Sequence, residues 1–175
     1  CHPLDGVLAA ADELKSEPQL HFLFVGGGSE FKKVQAFAKE RALKNITCLP
    51  YQPMEKLSGS LSSADLHLVV MGEPFVGIVH PCKIYNILTL GIPFLFIGPE
   101  QSHGADLARR LNDPLHARTA RNDDSREIVA QIRAAMMLGP RPVNAAAQAL
   151  GAEFSHSLLC PRLVRIIEQA AAARA

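Results

Sequence analysis

Apolar positions along the chain switch between a helical and a strand period. Leu4, Val7, Leu8 and Ala11 recur at i, i+3, i+4 and i+7, one face of a helix, which Pro18 helps to end. Residues 20–25 (LHFLFV) are a short apolar run of the length of a buried parallel strand. Gly26, Gly27 and Gly28 follow, and Ser29 reads as the N-cap of a helix with Glu30 in its first turn. Phe31, Val34, Phe37 and Ala38 form that helix's apolar face. After a break at Asn45, residues 46–49 read as a second strand.

The alternation continues. Pro53 and Met54 open a short helix through Leu57 and Leu61, and residues 66–70 form a third strand. A loop punctuated by Gly and Pro spans 71–81, and a helix over 82–90 ends at Gly91. Residues 93–97 form a fourth strand, with Pro93 suited to its first position. A short helix is expected at 105–111 and a fifth strand at 116–119. Asp124 or Ser125 caps a helix bearing Ile128, Ile132, Ala135 and Met136. The run Gly139-Pro140-Arg141-Pro142 breaks the chain, helices follow at 143–152 and 158–173, and the Ala-rich end at 170–175 reads as a fraying helix. Strands alternating with helices define an α/β fold: a Rossmann-like parallel sheet flanked by helices, with right-handed crossovers.

Composition narrows the function. The chain has 175 residues, enough for one domain. Its 48% apolar and 20% charged content fits a globular core and excludes a disordered or fibrous chain. Lys and Arg total 18 against 17 Asp and Glu, a net charge of +1. That balance argues against nucleic acid as a partner and leaves room for one small anion. No apolar run approaches the ~20 residues of a membrane span. Cys1, Cys48, Cys82 and Cys160 are widely spaced and form no C-x-x-C, so they read as reduced thiols of a cytoplasmic protein. The chain begins Cys1-His2-Pro3 without Met, which suggests processing or a piece of something larger.

Ligands of an open parallel sheet bind beyond the carboxyl ends of its strands, where three loops stand out. Gly26-Gly27-Gly28-Ser29 joins strand to helix and admits a phosphate close to the backbone. It is not a nicotinamide-dinucleotide fingerprint: Phe31 stands where the third glycine belongs, and Leu49-Pro50-Tyr51 offers no acidic residue for a ribose. A tight structural turn is the competing reading. Pro50-Tyr51-Gln52-Pro53 places a ring and an amide at a strand end, and plain loop packing explains it equally well. The third loop, from Gly72 to Lys83, is long and glycine-punctuated. Lys83 opposes the dipole of the helix it opens, a small cost that a bound anion would offset. A solvated lysine is the alternative. No G-x-S-x-G, H-E-x-x-H or Walker loop is present, and Ser102-His103 are mere sequence neighbours.

Together these loops resemble the C-terminal half of GT-B glycosyltransferases, near retaining family 4. The resemblance runs from about Pro3 to Pro99. It is carried by Phe24-Val25-Gly26-Gly27-Gly28, by Leu43-Lys44-Asn45-Ile46-Thr47-Cys48-Leu49-Pro50-Tyr51-Gln52-Pro53, and by Leu61-Ser62-Ser63-Ala64-Asp65-Leu66-His67-Leu68-Val69. It ends with Val79-His80-Pro81-Cys82-Lys83-Ile84-Tyr85-Asn86-Ile87-Leu88-Thr89-Leu90-Gly91-Ile92-Pro93.

The resemblance implies a domain that binds a nucleotide-diphosphate-sugar donor as substrate, with no metal or other cofactor. Gly26, Gly27 and Gly28 would line the donor cleft, and Tyr51 and Gln52 would meet the base. Backbone amides between Phe75 and His80, Val79 among them, would meet the diphosphate, with Cys82 and Lys83 at the start of the following helix. Relatives carry two glutamates eight apart; here those positions are Ile78 and Asn86, and Asn86 is left to meet the ribose. Relatives also place a strand and loop, and before them an acceptor-binding domain, ahead of the Pro-Leu-Asp helix. An N-terminal acceptor domain is therefore expected outside this chain, as partner of its later helices and as a route to a membrane-surface acceptor at the inner face of the membrane. Alternatives are half of a nucleotide-sugar epimerase, or a non-catalytic interaction domain that has lost the glutamates.

Overall fold

A computed structural model describes residues 2–139 and 142–173. The expectations for Cys1, for Pro140 and Arg141 in the chain break, and for the last two residues of the tail lie outside the described residues. Helices and strands alternate as α1 (Asp5–Glu13), β1 (Phe22–Val25), α2 (Ser29–Glu40), β2 (Ile46–Leu49), α3 (Leu57–Ser62), β3 (His67–Val70), α4 (Lys83–Leu90) and β4 (Phe94–Ile97). They continue with α5 (His103–Leu111), β5 (Ala117–Ala120), α6 (Ser125–Met137), α7 (Ala145–Ala152) and α8 (His156–Ala172). Single 3-10 turns lie at Leu14–Ser16, Met54–Lys56 and Glu73–Phe75.

All strand pairs are parallel, as in a Rossmann-like α/β fold. The expected single sheet is divided in two. β1 pairs with β2, and β3-β4-β5 form the other sheet. Both sheets nevertheless feed one core. Phe22 of β1, Val70 of β3, and Leu95 and Ile97 of β4 are buried with Val7, Ala10, Ala11 and Leu14 at the α1 end and with Ile128, Val129 and Ile132 of α6. The alternate side chains of β3 and β4, Val69, Phe94 and Phe96, point the other way. There they pack with Ile84, Ile87 and Leu88 of α4, Leu107 of α5 and Leu150 of α7. β4 is therefore buried on both faces, and its FLFI sequence has no polar position because neither face meets water.

The division has a backbone explanation. In a strand, successive residues present their N–H and C=O to opposite edges. β1 uses the amides of Phe22 and Gly26 toward β2, donating to Asn45 O (2.8 Å) and Leu49 O (3.0 Å). β3 uses His67 and Met71 toward β4, donating to Pro93 O and Ile97 O, both at 2.9 Å. Leu23 and Val25 of β1, and Leu68 and Val70 of β3, thus present their backbone groups to edges with no strand partner among the described residues.

The C-terminal helices differ from each other. α7 belongs to this core: Ala147, Leu150 and Gly151 are buried, and the Asn144 side chain accepts from Ala147 N to cap it. Asn144 also donates to Asp113 Oδ2 (2.8 Å), which accepts from His116 Nδ1 (2.9 Å), while His116 Nε2 bonds Pro142 O (3.1 Å). That network ties the entry of α7 to the turn before β5. α8 buries no residue and leaves Leu158, Leu163, Val164, Ile166 and Ile167 exposed. No helix among the described residues is long and apolar enough to cross a membrane.

α7 approaches α4 backbone to backbone at Gly151. A Cβ there would lie 2.8 Å from Thr89 N and 3.0 Å from Leu88 C. The obstacle is backbone, so the helices must separate to admit it. Gly151→Ala is expected to destabilise the fold by about 1–3 kcal/mol, read as a lowered urea midpoint at unchanged slope. An unchanged midpoint would mean that α7 does not pack as described.

Candidate functional site

The loops singled out in the sequence stand at the C-terminal ends of β1, β2 and β3, the first two meeting each other through Tyr51. The first turn is closed by Gly26 N donating to Leu49 O, so it begins where the β1–β2 ladder stops. Gly28, not the expected Ser29, is the N-cap of α2; its φ of 96° lies in a region that side chains disfavour, and no side chain caps the helix. Ser29 becomes the first helical residue. The Tyr51 ring lies on this turn. A Cβ on Gly27 would come within 3.1 Å of it and one on Gly26 within 3.5 Å. Tyr51 is 79% exposed, so its ring lies against the glycine backbone while most of it faces solvent. Gln52 turns back, its Nε2 donating to Pro50 O at 2.9 Å.

The third loop is self-bonded. Phe75 N donates to Gly72 O, Val76 N to Glu73 O, and both Ile78 N and Val79 N to Phe75 O, at 3.0–3.3 Å. The amides of Gly77 and His80 make no backbone hydrogen bond among the described residues. Ile78 is 76% exposed at the tip. The Cys82 thiol is exposed and donates to His80 O at 3.4 Å. Asn86 is exposed on α4, one turn beyond Lys83.

Lys83 reaches away from solvent. Its Nζ donates to Leu68 O at 2.6 Å. The side chain as a whole is exposed, yet its ammonium end is enclosed enough that desolvation holds its pKa below the ordinary lysine range.

Sequence reasoning set aside Ser102-His103. Ser102 is the N-cap of α5, accepting from Ala105 N and donating to Pro99 O. That cap turns His103 toward the third loop, where its ring meets His80 edge-on at 4.8 Å and also touches Tyr85 and Phe154. His103 Nε2 is buried with no hydrogen-bond partner. The signal in the sequence was Gly98-Pro99, which ends β4 at the same sheet edge as the other loops; the contact itself spans 23 residues and no local pattern encodes it.

A groove of about 510 Å³ lies elsewhere, between α1 and α2. Its charges already pair with one another, Lys33 with Asp5 at 2.7 Å and Arg41 with Asp12 at 3.4 Å, so it offers no net field for an ionic ligand. Among the described residues no group of three or more His, Cys, Asp or Glu is placed to hold a metal ion.

No family model matches the chain. Over 88 residues, half of this chain, it is 38% identical to the Escherichia coli (strain K12) protein named "Putative colanic acid biosynthesis glycosyl transferase WcaI". The matched stretch spans 21% of that relative's length. The chain is thus similar to part of a glycosyltransferase, and its parallel sheets flanked by helices are consistent with a Rossmann-like fold.

The buried His67 and the half-buried His103 give the fold an acid limb. Desolvation, then the neighbouring His80, hold His103 below its ordinary pKa, with Asp106 opposing. Desolvation likewise lowers His67, whose Nε2 contacts Leu61 O. The unfolded chain therefore takes up these protons first, and stability falls as pH drops through the ordinary imidazole value of ~6.5. The thermal midpoint is expected to fall between pH 7 and pH 5, and to fall less in the double variant His67→Gln, His103→Gln. An equal fall in both proteins would exclude these rings as the cause.

Proposed function

We propose that this chain is the part of a glycosyltransferase that binds a nucleotide-diphosphate-sugar donor for transfer to a glycan or lipid-linked acceptor. The observation that carries the reading is the Tyr51 ring laid on the Gly26–Gly27 backbone at the strand ends. An exposed ring laid on the backbone has surface left for a nucleobase, and the open turn at Gly28 gives the rest of the nucleotide close access to the backbone. The Gly77 and His80 amides would meet the diphosphate, Lys83 would add charge, and Asn86 would bond a ribose hydroxyl. The similarity to a glycosyltransferase supports the transferase class, and the near-zero net charge fits an anion site built from amides and one cation rather than a basic surface.

Transfer would need a second domain to bring the acceptor over the donor. Through that domain the whole protein would reach an acceptor at the inner face of the membrane. The chain alone is expected to bind donor without turning it over. An interaction domain is the second reading, favoured by Ile78 and Asn86 at the positions where relatives carry glutamates.

Calorimetric titration with uridine diphosphate and guanosine diphosphate separates these. Binding of one of them, weakened about tenfold by Tyr51→Ala, is the expected result, since stacking on an aromatic ring contributes ~1–3 kcal/mol. A folded chain that binds neither would favour the interaction domain. Turnover of a nucleotide-sugar at the rate of a complete enzyme would refute the need for a second domain.

A further inference from the structure

Near its end the third loop meets α5 through two imidazoles. The His80 ring lies edge-on to that of His103, the first residue of α5, with centroids 4.8 Å apart. His103 is held from below. The buried Ser102 caps α5 and donates to Pro99 O at 2.6 Å, and a Cβ on Gly104 would overlap the Phe96 ring, so the start of α5 sits directly on β4. His80 is exposed, and its amide and that of Gly77 make no backbone hydrogen bond among the described residues. Gly77 has a φ of 76° and open space where a side chain would stand. Two unbonded amides of the loop thus lie within three residues of one another, next to a firmly seated ring.

The surroundings of His103 disfavour a proton on it. Its Nε2 is buried without a partner, so a proton added there would be an unmet cationic N–H. His80 faces the ring from the third loop and Arg110 from α5, and the positive end of the α5 dipole lies at the same residue. Tyr85 of α4, with the Cys82 thiol near it, and Phe154 after α7 close the other sides with uncharged rings. Asp106 is the carboxylate that favours the proton, and it already pairs with Arg109 at 2.6 Å. The permanent cations nearby are engaged as well, Arg110 with Glu153 at 2.6 Å and Lys83 with Leu68 O. An anion seated on the Gly77 and His80 amides would therefore have these two imidazoles beside it as uncommitted sources of positive charge.

We propose that His80 and His103 take up one proton between them when the diphosphate of a nucleotide-sugar seats on the third loop, so that donor binding is tied to proton uptake at this pair. The proposal rests on the donor-binding reading of that loop. Two like charges on touching rings repel, so the rings titrate as a unit and hold one proton rather than two. The anion lowers the cost of that proton, and by reciprocity the proton tightens the hold on the anion. The sign follows from linkage: the loaded chain binds more protons than the free one, so affinity rises as pH falls toward the imidazole range of ~6.5.

The test uses uridine diphosphate glucose and guanosine diphosphate mannose, whose diphosphates are esterified at both ends and carry no titrating proton between pH 6 and pH 8. Calorimetric titration at pH 7 in two buffers of different ionisation heat counts the protons taken up with binding. For one of the two ligands, uptake of roughly half a proton is expected, with binding roughly fivefold tighter at pH 6 than at pH 8. His103→Phe keeps a ring against His80 but cannot titrate. In that variant the uptake and the pH dependence should vanish, while affinity at pH 8 stays within about twofold of the parent. Histidine ring signals in a magnetic-resonance titration of the free chain give a second readout that needs no ligand. His80 and His103 should titrate in two coupled steps, and His80→Gln should raise the His103 midpoint by removing the neighbouring cation.

Binding without proton uptake overturns the proposal, and so does uptake that persists in His103→Phe. Independent single-step titration of the two rings overturns the pair as a unit. Coupled titration in a folded chain that binds neither nucleotide-sugar upholds the pair, overturns its link to the donor and places the failure in the donor-binding reading.

Discussion

The parallel ladder of β3, β4 and β5 is the constraint on which the rest of the molecule depends. β4 sits in its centre with all four side chains buried. Phe94 and Phe96 hold α4, α5 and α7 on one face, while Leu95 and Ile97 face the core closed by α1 and α6 on the other. Each such side chain contributes roughly 1.5–3 kcal/mol of burial, and the strand as a whole cannot shift without disturbing both layers. Because the register is fixed from His67↔Phe94 to Ile97↔Ala120, the points where the chain leaves each strand are fixed too. The loops at those points inherit their positions from the ladder rather than from their own hydrogen bonds.

What those loops share is a scarcity of charge. The first turn brings glycine backbone and the exposed Tyr51 ring, the third brings amides and the His80–His103 contact, and Lys83 is the cation at its base. In the proposed reading, such a site would recognise an anion by geometry more than by field strength. It also makes the placement of the single lysine decisive. Where the amine is drawn to Leu68 O, desolvation holds its pKa below the ordinary lysine range, and the cation is engaged by a strand edge.

The elements were legible because their signals are local. The FLFI run, the FLFV run and the 3.6-residue face of Ile128 and Ile132 each announce their type within a few residues. Asp124, offered with Ser125 as a cap, proves to be the residue whose side chain accepts from Glu127 N. Gly91 ends α4 in a left-handed turn as its position suggests. The cap of α2 departs from the sequence pattern for a physical reason: Ser29 has the better capping side chain, but Gly28 can adopt the turn's backbone, and the turn requires that more than it requires a hydroxyl. The loops of the candidate site were legible as positions, through their place after apolar runs, and not as contacts.

By itself the sequence determined the α/β alternation and which loops stand at the strand ends, since each follows from apolar period and turn residues within reach of one another; it read residues 20–25 as a buried strand, whereas Leu23 and Val25 are exposed and β4 is the strand buried on both faces. Only the tertiary structure decided that the sheet divides between β1 and β3, that α7 joins this core while α8 does not, and that His103 meets His80. It alone decided where Lys83 points. Its partner, Leu68 O, is free because of which strands pair, and strand pairing is settled by contacts between distant segments that no local pattern records.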